Sequence, residues 1–323
     1  MPGYISHYLY GVRVRKSLED ASLARVIDAH HHAYSLGMQG PDIFFYHPPT
    51  VIGPWRSAGP AAHSSKPGLF LMNLAASLRL FEYGTRERDI GIAYLAGFFG
   101  HYTLDRTCHP FVYYRSKSKD EGRKGFGRHC RLETDIDHVF LERDKGIRPS
   151  EFDGAGVIKL SPREEKVVGT MLHYAYTKSY ANVKVSVKDA ISAARFIARG
   201  QNLLKDPHGI KRYIMTVGEE TVLGYHFMSG MVTMDSGTDK VDPCNLRHDR
   251  WRNPWGEDET NPETGDKRGR ARNESFFDLV DIALDAYGEL TDYLGGLCTG
   301  ANPVEDVPDD IRAGYSYLTG MPV

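Results

Sequence analysis

Cysteine is scarce in this chain, with four in 323 residues. That is too few for the disulfide framework of a small extracellular scaffold, and reduced thiols are expected. Charge of one sign is also lacking. Forty-two acids against forty bases leave a net charge of −2, which excludes a globally basic nucleic-acid binder and an acidic disordered chain. No apolar run is long enough for a transmembrane segment. The longest, residues 90–100 (IGIAYLAGFFG), has eleven residues, where about 20 are needed. The opening MPGYISHYLYGVRVRK has no basic segment ahead of an apolar one, so no secretory signal and a cytoplasmic location are expected. Repeats and low-complexity tracts are missing, and alternating strand patterns are nearly so, with residues 156–160 the nearest to one.

What the chain does have is helical period and histidine. At 41% hydrophobic and 25% charged it has the composition of an ordinary globular protein. Amphipathic or wholly apolar spacing predicts helices over 17–35, 66–83, 86–106, 128–145, 161–180, 186–205, 208–228 and 274–295. The segment after Asp89 is apolar on all sides and reads as a buried helix. Residues 161–165 (SPREE) place a Ser cap before a Pro at the first helical position. Two polar stretches interrupt the pattern: the basic 114–128, and 235–273, which holds Trp251 and Trp255. A single all-α domain over 1–323, with a long polar loop at about 235–273, is the expectation.

Fourteen histidines are present, and their placement matters more than their number. His101 and Asp105 are four apart on the buried helix, so they share a face. His129 and Glu133 repeat that spacing on the next helix, with His109 between the pairs. A single His-x-x-x-Asp is commonly a surface pair. Here the flanks are apolar, and a buried carboxylate must be paired or metal-bound. Ligand pairs on two facing helices build a polynuclear site in a bundle. The nitrogen and carboxylate donors suit zinc, and manganese or iron(II) less well. Upstream candidates are His7 in ISHYLYG, Asp42 in GPDIFFY and His63 in AAHSSKP.

Taken in order, His7, Asp42, His63, His101-x-x-x-Asp105, His109 and His129-x-x-x-Glu133 resemble the zinc-dependent phospholipase C family and its single-strand nuclease relatives. The resemblance covers about residues 1–140 and is most specific at GHYTLDRTCHP and HCRLE. It implies a multi-helix phospholipase C/nuclease-like bundle around two or three zinc ions. Asp42, His63, His101 and Asp105 would hold the first and His109, His129 and Glu133 the second. Asp105 would bridge to a third that His7 also binds. It further implies a metal-bound hydroxide as nucleophile, with Asp42 as general base or orienting the water. The substrate would be a phosphoester, either a phospholipid head group or another small phosphodiester. Nucleic acid is the alternative substrate, and a non-catalytic metal-binding protein the reading from another class. Choline-selective members carry aromatic residues where this chain has Ile43 and Pro60, so phosphatidylcholine is not the expected substrate. Phe44, Phe45 and Tyr46 offer a stacking wall, and Lys and Arg of 115–128 a phosphate-binding rim. His30, His31 and His32 read as surface or supporting residues, Cys108 and Cys130 as packing. Asp137, on the His129–Glu133 face, reads as orienting a ligand histidine.

Overall fold

The computed structural model describes residues 3–45, 47, 58–119, 122–224, 226, 228–235, 242–255 and 271–323. Its axis is the long helix that the apolar run predicts. This helix, α6 (Arg86–Ser116), starts where the Thr85 side chain accepts from Arg88 N, and every residue from 90 to 105 is buried. An element apolar on all sides must be wrapped by others. Around it pack α1 (Tyr4–Ser17), α2 (Ala21–Ala29), α3 (His31–Gly37), α7 (Gly122–Lys145), α8 (Pro162–Ser179) and α11 (Phe276–Gly288). The remaining helices are α4 (Ala58–Ser64), α5 (Pro67–Ala76), α9 (Val187–Leu203), α10 (Ile210–Leu223), α12 (Thr291–Thr299) and α13 (Asp309–Ala313), thirteen among the described residues. One continuous apolar core runs from Tyr4 through Phe98, Leu172, Leu279 and Leu294 to Tyr317.

The architecture is all-α, as expected; among the described residues, strand is limited to a two-residue parallel pair, Lys205–Asp206 with Thr233–Met234. Several boundaries differ from the sequence reading. Residues 156–160 form no strand; Gly156–Ile158 is a 3-10 turn. The single helix expected over 17–35 is α2 and α3, broken at His30, and 274–295 is divided between α11 and α12. The helix expected to stop at 106 runs on through Pro110 to Ser116, and α7 begins at Gly122, so most of the basic stretch 114–128 is helical. Of the polar stretch 235–273, Trp251 is buried and bridges to Arg272; residues 236–241 and 256–270 lie outside the described residues, as does Tyr46. Among the described residues no helix is long and apolar enough to cross a membrane. All four cysteines are free.

Candidate metal centre

The continuation of α6 past residue 106 builds the centre. It aligns His101, Asp105 and His109 on one face, four residues apart at each step. α7 crosses beside it with His129 and Glu133. α1 brings in His7, the 3-10 turn Gly40–Phe44 brings Asp42, and α4 brings His63. All eight side chains are buried. Donor atoms of Asp42, His63, His101 and Asp105 lie within 4.8 Å of one another, and those of His109, His129 and Glu133 do likewise.

Asp105 is the hub. Its Oδ1 is 3.1 Å from His7 Nε2, and its Oδ2 is 3.2 Å from His101 Nε2 and 3.6 Å from His63 Nε2. The same Oδ2 is 3.6 Å from His109 Nδ1, which links the two groups. Asp42 Oδ1 is 2.9 Å from His63 Nε2 and 3.9 Å from His101 Nε2. His129 Nε2 is 2.7 Å from Glu133 Oε1. His7 stacks on His101 at 4.3 Å between ring centroids.

The other ring nitrogen is engaged elsewhere in four of the five candidate histidines; at His7 neither nitrogen has a hydrogen-bond partner. Nδ1 of His63 bonds Gly59 O at 2.8 Å, that of His101 bonds Met38 O at 3.1 Å, and that of His109 bonds Tyr317 O at 2.6 Å. His129 Nδ1 has Ser118 Oγ at 3.4 Å. A carbonyl acceptor fixes the tautomer, keeping the proton on Nδ1 and turning the Nε2 lone pair inward. Meanwhile Asp42 Oδ1, both Asp105 oxygens and Nε2 of His63, His101 and His109 are buried with no hydrogen-bond partner. Buried polar atoms are nearly always satisfied, so a cluster of orphans wants an explanation. Converging nitrogen and carboxylate donors that have no hydrogen-bond partner fit a divalent metal such as zinc.

Electrostatics differ between the two groups. Burial alone would raise the Asp105 carboxyl, but His101 and His7 hold it well below the usual carboxylate range. Burial lowers His101, and Asp105 and Asp42 more than reverse this, so its pKa rises. Burial, then His101, keep His7 low. In the second group burial drives His129 well down and Glu133 well up.

Several residues outside the reading hold the centre in place. Tyr317, in the C-terminal segment, accepts from His109 and donates its N–H to His63 O at 3.1 Å. Asp137 acts on a candidate ligand histidine through the backbone of α1 and not by direct contact. It accepts from Ile5 N and Ser6 N at 2.9 and 2.7 Å and from Ser6 Oγ, so it caps α1 and thereby places His7. Gly40, at φ +50, lies so close to the His101 ring that any side chain there would collide with it. Phe44 turns into the core against Tyr176, whereas Phe45 stands 5.2 Å from the His63 ring and 6.5 Å from Phe126. Ile43 is buried in the core and Pro60 is exposed. Three bases of the stretch are held by backbone carbonyls: Arg115 bonds Asp242 O, Lys119 bonds Pro254 O, and Arg128 bonds Ser116 O and Lys117 O, whereas Lys117 and Lys124 are exposed. Of the three consecutive histidines His30 is buried, and none joins either group. Cys108 and Cys130 are buried packing residues.

A narrow cleft lined by Phe45, Phe126, Glu133, Leu204 and Met231 reaches the second group. Larger open grooves, of about 470 Å³ beside Arg195 and 640 Å³ beside Tyr8, lie away from the centre. The bundle thus carries two adjoining candidate metal-binding groups of His and carboxylate side chains. A family model described as zinc dependent phospholipase C matches residues 3–200, and the chain belongs to that family. No curated protein and no solved structure matches it.

Proposed function

We propose that the chain is a zinc-dependent phosphodiesterase that cleaves a phospholipid head group or another small phosphodiester. Asp42, His63, His101 and Asp105 would hold one zinc and His109, His129 and Glu133 another; His7 and Asp105 offer donors for a third. Zinc bound there supplies Lewis acidity toward a phosphoryl oxygen and brings the pKa of water near 7. The chain's own contribution is position and proton handling. Gly59 O, Met38 O and Tyr317 O hold three imidazoles with Nε2 pointing inward. Asp105 ties the groups together. Asp42 orients the attacking water and takes up its proton. Phe45 and Phe126 form an apolar wall that excludes water from one side.

The observation that carries this reading is the set of orphaned inward-facing donors on residues whose outward atoms are anchored. The family match supports lipid phosphodiesters over single-stranded nucleic acid as the substrates to try first. Elemental analysis after zinc reconstitution, followed by a phosphoester panel, tests it. Two or three zinc ions per chain and chelator-sensitive hydrolysis are expected. One zinc or fewer ends the polynuclear assignment, and full loading without turnover favours a metal-binding protein without catalysis.

A further inference from the structure

The ligand face of α6 does not end at His109. One more step of four residues reaches Tyr113, on the same face as His101, Asp105 and His109. Its ring lies against two of the three candidate ligands of the second group, with centroids 4.5 Å from His129 and 5.8 Å from His109. Those ligands are buried, whereas Tyr113 is half-buried, so it is where that face of the helix meets solvent. Its hydroxyl makes no hydrogen bond to a described residue. Burial, and after it the charge of Glu133, push the phenol up, which puts the hydroxyl in the field of the second group and keeps it a donor.

A half-buried tyrosine commonly gives its hydroxyl to water. This one is also braced from its far side. Trp255 meets the ring edge-on, at 4.6 Å between centroids and 82° between planes. The segment that carries Trp255 is itself tied down: Lys119 Nζ bonds Pro254 O at 2.7 Å, Asn253 Nδ2 bonds Thr319 O at 2.9 Å, and Trp255 N bonds Asn253 Oδ1 at 3.1 Å. A ring clamped between candidate ligands and an anchored tryptophan holds its hydroxyl in one place, as a preorganised donor requires. We propose that Tyr113 is a substrate-contacting residue: its hydroxyl donates to a phosphoryl oxygen of a phosphodiester held at the His109–His129–Glu133 group, and Trp255 positions the ring for it. Such a bond strengthens as charge gathers on the phosphoryl oxygens in the transition state. The phenol keeps its proton throughout. This rests on the reading of the centre as a zinc-dependent phosphodiesterase.

The test is binding of inorganic phosphate to the zinc-loaded full chain, measured by calorimetry, with hydrolysis of bis(para-nitrophenyl) phosphate read separately. Tyr113→Phe keeps the ring over His129 and the contact with Trp255, so zinc content and thermal stability should be unchanged while phosphate binds about tenfold more weakly. For the diester, kcat should fall on the order of a hundredfold. Trp255→Ala should weaken phosphate binding by about threefold, and Trp255→Phe should restore it. In a chain that already carries Tyr113→Phe, Trp255→Ala should add nothing, which a merely structural role would not produce. Phosphate binding and turnover that Tyr113→Phe leaves at the parent's level overturn the contact alone. Loss of zinc in Tyr113→Phe makes the hydroxyl part of the metal's support and overturns it as well. Phosphate binding that depends on the hydroxyl, with no turnover of any phosphoester, upholds the contact and overturns the hydrolase reading. A zinc-loaded parent that neither binds phosphate nor cleaves the diester overturns both.

Discussion

The two His-x-x-x-carboxylate pairs are one motif in opposite electrostatic settings. Asp105 has nitrogens of His7, His63, His101 and His109 within 3.6 Å, and its carboxyl stays ionised against the pull of burial. Glu133 has one imidazole, His129, at 2.7 Å, and burial drives it toward the protonated form. Spacing therefore sets which face a ligand occupies, and surroundings set its charge: imidazoles keep Asp105 ionised, whereas burial and the carboxylates of Asp105, Asp42 and Asp137 raise Glu133. The Asp105 group arrives charged and ready. The Glu133 group must give up a proton when a metal enters, so its affinity should fall more steeply as pH drops.

The largest break in this comparison should come from Asp105→Asn. A neutral amide would leave three inward-facing nitrogens, of His7, His63 and His101, without their common anion and would weaken the link to His109. Metal content is expected to fall by more than one equivalent. Activity should fall by more than the roughly 10–100-fold typical of losing a partner that merely orients a ligand. Breaking a buried charged cluster should lower stability by about 3–5 kcal/mol. Elemental analysis and thermal unfolding check this. Loss of a single equivalent, equal to that in Glu133→Ala, would remove Asp105 from its bridging position.

A smaller and opposite effect is expected at Glu133. Its folded pKa is raised, so in the metal-free protein the folded chain keeps a proton that the unfolded chain loses above about pH 4.3. Folding stability attributable to this group therefore declines as pH rises from there, by up to about 1.4 kcal/mol per unit. Glutamine carries no such cost. Metal-free Glu133→Gln should thus match the parent near pH 4 and gain on it from about pH 5 to 7, while losing one metal equivalent when zinc is supplied. Denaturant unfolding across that range, with chelator present, measures the difference. A gap that shrinks with rising pH would contradict the raised pKa.

The contrast also explains what the sequence could and could not reveal. Both pairs were legible because a four-residue step is a local signal, and because apolar flanks announce burial. The run of α6 through Pro110 was not. Proline lacks the N–H that the Arg106 carbonyl would use, which ordinarily ends a helix. Here the C-terminal segment covers the defect: Gly320, at φ +65, packs where a Cβ would lie 2.6 Å from Arg106 O. The helix bearing His7 was missed for a related reason. Gly3 provides no side-chain cap of its own, and the cap comes from Asp137, more than 130 residues away. Three of the four anchoring acceptors are backbone carbonyls, at Gly59, Met38 and Tyr317. Every residue has a carbonyl, so no residue type could betray them. The apolar pattern over 208–228 correctly foretold a helix, but gave no sign that its apolar face would point outward, because Arg212 and Asp135 meet only in the folded chain.

The smallest expected effect isolates one remaining difference between the groups. His63, His101 and His109 lean on carbonyls that no substitution removes, at 2.8, 3.1 and 2.6 Å. The partner seen for His129 Nδ1 is the Ser118 hydroxyl, at 3.4 Å, and that hydroxyl also meets Ser116 Oγ at 2.7 Å. A contact this long is a weak hydrogen bond, so its loss should fall short of the tenfold lower bound for removing a ligand's supporting partner. Ser118→Ala is expected to weaken zinc at the His109–His129–Glu133 group by about threefold and to leave the Asp105 group unchanged. Chelator competition resolves the two, because the groups should release metal in separate steps. Weakening of both equally would mean that orientation at one group is transmitted to the other through Asp105 and His109, which are 3.6 Å apart. The independence of the two settings would then be lost, and Asp105 would set the geometry of both.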